Sequence, residues 1–309
     1  MHDSLTSARR RSAFLVLCFF LLVLAASWVF AQLIFGGVVA LIAAAVFAAL
    51  SSVVAWRSSD RVALSMSHAV PADPAQFARL HNLIDGLCIA GGLKKPRLFI
   101  IDDPAPNAFA TGRNQDHAAI AVTTGLLAKM NRIELEGVLA HELAHIKNND
   151  ILVATVAVTL VGLFALLSDV AMRFLWWGGP RHRDDQSGGN GGPAAMLVAA
   201  IGFAFLLLTP LIGKLMQFAI SRGRESLADV TAVSLTRYPP GLIAALRKLQ
   251  ADSTVVHSAS KATAHLWIES PLTDDPAQLS AQQGKTSRFN RLFMTHPPIE
   301  DRIAALLEL

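Results

Sequence analysis

The segment Glu136-Gly137-Val138-Leu139-Ala140-His141-Glu142-Leu143-Ala144-His145 carries the pattern H-E-x-x-H. On a helix, residues four apart are neighbours on one face, so His141 and His145 stand one turn apart. Two imidazoles so placed can hold one Zn²⁺. Glu142 is rotated by roughly 100° from His141, close enough to act on a water beside the metal without ligating it. The set offers two ligands and a general base for metal-assisted hydrolysis. A catalytic zinc takes a third protein ligand and keeps one position open. Glu225 and Asp229, in Ser221-Arg222-Gly223-Arg224-Glu225-Ser226-Leu227-Ala228-Asp229, are four apart and would share a helix face. Glu225 can supply the third ligand. Asp229 can accept a hydrogen bond from the far ring nitrogen of a ligating histidine and so fix its tautomer. The plain alternative for this pair is a solvated acidic face.

The first motif needs a helix, and its flanks specify one. Asn131 can cap it, with Glu134 three residues on as an asparagine form of the capping box. Leu135, Val138, Leu139 and Leu143 follow at helical spacing. Upstream, Phe77, Leu80, Ile84 and Leu87 predict another helix that stops at Gly91-Gly92. Arg97 to Ile101 and Ala118 to Thr123 read as strands, and Asn107 to Gly112 leads through a polar turn into the second of them. The region 58–150 is thus a small α+β unit with few strands and helices on one side.

The rest of the composition points to a bilayer. Hydrophobic residues make up 53% of the 309 and charged ones 16%, with a mean hydropathy of +0.44. That is too apolar for an ordinary soluble domain of this length. The stretch Ser12 to Trp56 holds no charged residue. It is too long for one span of about 20 residues, and Gly36-Gly37 divides it into segments near 13–34 and 38–56. Arg9-Arg10-Arg11 before it and Arg57 and Arg61 after it put both ends on the cytoplasmic side. Two further apolar segments, 151–168 and 194–213, are candidate spans joined by a Gly-rich loop over 178–193. The expected organisation is an N-terminal transmembrane hairpin over 1–57, a first catalytic part over 58–150, a second hairpin over 151–213 and a second catalytic part over 214–309. As an antiparallel pair, the second hairpin would release His145 and Glu225 on the same side of the membrane.

At this point the chain resembles the HtpX family of bacterial membrane-bound zinc metalloproteases, which are similar in their catalytic core to the CAAX prenyl proteases. The resemblance runs nearly end to end. It rests on Arg79-Leu80-His81-Asn82, Pro106-Asn107-Ala108-Phe109-Ala110-Thr111-Gly112, the H-E-x-x-H segment, Ser221 through Asp229, and Thr295-His296-Pro297-Pro298. It implies a gluzincin-type site on four transmembrane helices, one Zn²⁺ per subunit, a cytoplasmic active face on the inner membrane, and a part in membrane protein quality control and stress response. It also implies two oxyanion-stabilising groups, Asn107 and His296. Their bland readings are a turn asparagine and a helix-entry histidine. The Gly-rich loop over 178–193 is the main departure and touches no candidate catalytic residue.

The reading from these residues is a zinc endopeptidase acting on peptides or proteins, membrane proteins among them, beside a lipid bilayer. The alternative is a non-catalytic zinc-binding scaffold or chaperone. Structural zinc sites are closed by four protein ligands, usually with cysteine, and neither Cys18 nor Cys88 lies near the motif. An intramembrane protease would bury its motif in a span, whereas Glu134, Glu136, Lys147 and Asp150 flank this one and argue for a surface position. With a net charge of +4, a single Tyr and no basic runs interleaved with aromatics, nucleic acid is excluded as a partner. Substrate, cleavage rule and oligomeric state are not legible in the sequence.

Overall fold

The structure is a computed structural model that describes residues 37–152, 155, 222–256, 258, 266–268 and 298–309, with five isolated positions between 17 and 28. The expected spans near 13–34, 151–168 and 194–213 lie outside the described residues save for a few positions, as do the loop over 178–193 and His296. Helix α1 spans Gly37–Met66 and contains the segment expected to span over 38–56. About half the side chains of that segment lie outside the described residues. Those described include Val38, Val39, Ile42, Val46, Leu50, Val53 and Val54, all exposed. Among the described residues no helix is long and apolar enough to cross a membrane.

Helix α1 runs unbroken through the boundary expected at 57/58. Its last turns then pack on a four-stranded sheet made of β1 (Val70–Pro71), β2 (Arg97–Ile101), β3 (Ala108–Gly112) and β4 (Ala118–Thr123), in the order β1-β2-β4-β3. Strand β4 is parallel to β2, with Leu98 beside Ile120 and Ile100 beside Val122. It is antiparallel to β3, with Ala108 beside Val122. The strand β3 fills a segment to which the sequence assigns no element, and the polar turn expected before β4 follows it. Ala108-Phe109-Ala110-Thr111-Gly112 is too short and too rich in small residues to signal a strand alone, and pairing with β4 decides its state.

Side chains alternate across a strand, and both faces of this sheet are covered. Leu98, Ile100, Ala108, Ala110, Ile120 and Val122 enter the main core with the helices that follow. Phe109, Ala119 and Ala121 turn the other way, onto Ala63 and Leu64 of α1 and onto Trp267, whose ring meets Phe109 edge-on at 5.0 Å. The expectation of helices on one side only is therefore wrong. All six residues of β4 are buried, and its unbroken apolar run is what a strand covered on two faces looks like. Arg97 pairs with Asp60, and Arg113 donates to the Arg57 carbonyl at 3.3 Å, so the sheet is tied to α1 by its side chains as well. At the free edge of β3, Ile268 N–H donates to the Ala108 carbonyl at 3.0 Å.

The other face carries α2 (Ala78–Gly91), closed by Gly92 in the left-handed region at φ 62°, then α3 (Thr124–Lys129) and α4 (Arg132–Lys147). Helix α4 begins with the capping box that its sequence announces. Asn131 Oδ1 accepts from Glu134 N–H at 3.0 Å, and Glu134 accepts in return from Asn131 N–H at 2.8 Å. Burial alone would raise the Glu134 carboxyl. The hydrogen bond from Lys248, at 2.7 Å, and the Asn131 N–H outweigh it and hold the group below its usual value. Three more helices follow among the described residues: α5 (Arg222–Thr236), α6 (Pro239–Ala251) and α7 (Ile299–Leu307).

Helix α4 lies between the sheet and α5 and α6, so almost every side of it is buried, well beyond the stripe of Leu135, Val138, Leu139 and Leu143. It meets the backbone of α6 through a glycine. A Cβ at Gly137 would stand 2.7 Å from the Leu242 nitrogen and 2.8 Å from its Cα. On an exposed helix Gly→Ala stabilises by about 1 kcal/mol. Here Gly137→Ala is expected to destabilise by about 1–3 kcal/mol, because two backbones must separate to admit the methyl group. Thermal melting of the purified protein in detergent would show a lower midpoint. A raised one would mean that α4 and α6 have room between them.

Candidate metal centre

Helix α5 presents Glu225, Ala228, Asp229, Ala232 and Leu235 to the interior, all buried. These positions follow the i, i+3, i+4, i+7 pattern of one helix face. The two carboxylates are therefore not a solvated face; they are pressed against α4, where His141 and Glu142 are buried as well.

Three of the expected residues converge there. One ligand atom from each of His141, His145 and Glu225 can be chosen so that all lie within 4.8 Å of one another. The Nε2 atoms of the two histidines are 3.1 Å apart. Glu225 Oε2 is 3.6 Å from His141 Nε2, and Oε1 is 3.8 Å from His145 Nε2. Two nitrogens at about 2.0–2.1 Å from one zinc, at a tetrahedral angle, stand roughly 3.3 Å apart, so the pair is spaced for a common ion.

The opposite ring nitrogens are each held by a carboxylate. His141 Nδ1 lies 2.9 Å from Asp229 Oδ1, and His145 Nδ1 lies 3.2 Å from Asp150 Oδ2. A proton on each Nδ1, donated to its carboxylate, leaves the Nε2 lone pairs facing the cluster. Asp229 thus sits where its spacing from Glu225 places it. Asp150 and Glu134, two of the charges that flank the motif, are buried within the protein. Helix α4 ends at Asn148, and Asn149, at φ 57°, turns the chain so that Asp150 folds back under His145. An Asn-Asn-Asp sequence just past a helix end is the available signal.

Arg302, on α7, is the second residue that sequence reasoning misses. It is buried, and its fork holds Asp229 through Nε to Oδ2 at 3.0 Å and Nη2 to Oδ1 at 2.7 Å. Its signal is an arginine at the apolar register of an amphipathic helix, four residues before the buried Leu306.

The electrostatics follow from this crowding. Glu142, Asp150, Glu225 and Asp229 are all buried, and so is Arg302, which is bonded to Asp229. Four carboxylates and one guanidinium out of water call for more positive charge, from protonated imidazoles or a divalent cation. Burial alone would lower the pKa of His145, but the charges of Asp150 and Glu225 and the Asp150 hydrogen bond outweigh it and carry it to about 10. His141 is also raised: burial and Arg302 oppose its charge, and Asp229 and Glu225 prevail. Burial would raise Asp229, yet its bonds to His141 and Arg302 hold it down at about 2. Donor types, spacing and charge all fit one divalent metal ion.

Asn107 is buried at the entry to β3. Its N–H donates to Thr123 Oγ1 at 2.9 Å, and its Oδ1 accepts from Ala108 N–H at 3.0 Å, which is the role of a turn asparagine.

A model of peptidase family M48 matches residues 74–309, a range that takes in both halves of the cluster. Over 300 residues the chain is 39% identical to a protease HtpX homologue of Thermoanaerobacter pseudethanolicus, covering 97% of this chain and 95% of that one. A protease HtpX homologue of Listeria monocytogenes is 37% identical over 311 residues, 99% of each chain. The crystal structure of S. mikatae Ste24p aligns with a TM-score of 0.46 at 21% identity, covering 84% of this chain and 57% of that one. The buried H-E-x-x-H helix and the acidic helix that meets it thus lie inside a family match and an end-to-end likeness to HtpX proteases: the chain belongs to peptidase family M48, among the HtpX homologues, and is a metalloprotease.

Proposed function

We propose that the chain is a zinc-dependent endopeptidase, anchored in the membrane by four helices, that cuts membrane or misfolded proteins at the cytoplasmic face as part of quality control under stress. The observation that carries the reading is the convergence of His141 Nε2, His145 Nε2 and Glu225 on one point, with Glu142 buried on the same helix. His141, His145 and Glu225 would hold the zinc. A bound zinc would polarise the scissile carbonyl and acidify a water.

The remaining chemistry falls to side chains. Glu142 takes the proton of the attacking water on its carboxylate and returns it to the departing amide nitrogen. Asp229 and Asp150 keep the two imidazoles in one tautomer and orientation. Asn107 and His296 donate to the oxyanion that forms at the carbonyl.

Against a purely structural zinc, which takes four protein ligands, the cluster offers three among the described residues. The buried Cys88 belongs to the core under α2 and not to the cluster. Two features support the membrane: the exposed apolar side chains of α1, and the sequence over 173–193, which holds only three of the 27 basic residues, Arg173, Arg181 and Arg183. On this account the N-terminus, 58–150 and 214–309 share the cytoplasmic side.

Cleavage of a casein-like substrate by detergent-purified protein should stop with a chelator and return on adding zinc. Chelator-resistant cleavage would exclude the mechanism.

A further inference from the structure

We infer that Arg302 is a positioning residue of the metal centre: it holds Asp229 in the one orientation that lets Asp229 hold His141. The inference rests on the zinc reading above and adds to it a residue from the far end of the chain. Both oxygens of Asp229 are taken by the Arg302 fork, and Oδ1 also lies against His141 Nδ1. A carboxylate gripped at two points by a planar guanidinium has little freedom left.

Nη2 of Arg302 is also 3.3 Å from Nδ1 and 3.4 Å from Nε2 of His141. A donor so nearly equidistant from both ring nitrogens lies over the face of the imidazole, not in its plane. The ring is therefore fixed at its edge by Asp229 and on one face by Arg302. Helix α7, which carries Arg302, packs on α5 and α6. The metal site is thus complete only when 298–309 is docked, more than 150 residues after His141 in the chain.

The experiment measures zinc affinity by competition with a chromophoric chelator, on full-length protein in detergent, with melting in excess chelator as a separate reading of the fold. Wild type should bind one zinc; failure there would overturn the zinc reading itself. Asp229→Asn and Arg302→Met should each weaken zinc by about 10–100-fold. Because both act through one contact, the double variant should be no more than about threefold weaker than the weaker single variant. Losses that multiply, or wild-type affinity in Arg302→Met, would overturn the inference.

Arg302→Lys keeps the charge and cannot make the fork. It should fold, melt near wild type and still lose affinity; unchanged affinity in this variant would also overturn the inference. It decides the matter even where Arg302→Met does not accumulate.

Discussion

Replacing Glu142 with Gln is expected to give a protein that still holds about one zinc and no longer cleaves a casein-like substrate at a useful rate. Gln has the shape of Glu, so the buried position on α4 can accept it without a cavity. What is lost is the ability to take a proton. General-base catalysis contributes roughly 10²–10⁴-fold, and the rate should fall by that amount or more. The ligand atoms of His141, His145 and Glu225 remain. The site also loses one of its four negative charges, so zinc affinity should drop modestly and not collapse. Metal content and cleavage, measured on the same preparation, separate the two effects. Normal cleavage would mean that another group is the base. Loss of zinc together with activity would mean that Glu142 belongs to the ligand set.

Much of this centre is legible in the amino-acid sequence, because its parts are local. The H-E-x-x-H spacing, the Asn131–Glu134 cap and the Glu225–Asp229 spacing are each properties of a single helix, and helix periodicity is fixed by backbone geometry. Contacts made by tertiary packing are not legible in this way. Asp150 looks like a surface charge until Asn149 turns the chain and folds it under His145. Arg302 looks like a solvated arginine until α7 packs against α5. The strand β3 has little propensity of its own and exists because β4 lies beside it. The unbroken apolar run of β4 hints at cover on the second face of the sheet. The source of that cover, the end of α1, lies across a boundary that charge places at residue 57.

Glu225→Ala should remove the metal as well as the activity. Glu225 is the only carboxylate placed to face the Nε2 atoms of both histidines, at 3.6 and 3.8 Å, among the described residues. Two imidazoles alone leave a zinc with two protein ligands where catalytic sites use three. Truncation also empties a buried position between α4 and α5 and takes one negative charge from a site that depends on charge to draw in a cation. The fold should survive, since Ala is a good helix former in the first turn of α5. The direct test is zinc per chain, by inductively coupled plasma mass spectrometry, on wild type and Glu225→Ala dialysed side by side against a weak chelator. Wild type should hold about one zinc and the variant, having lost a full ligand, less than about a tenth of that. Equal zinc in the two would contradict it and place the third ligand elsewhere in the chain.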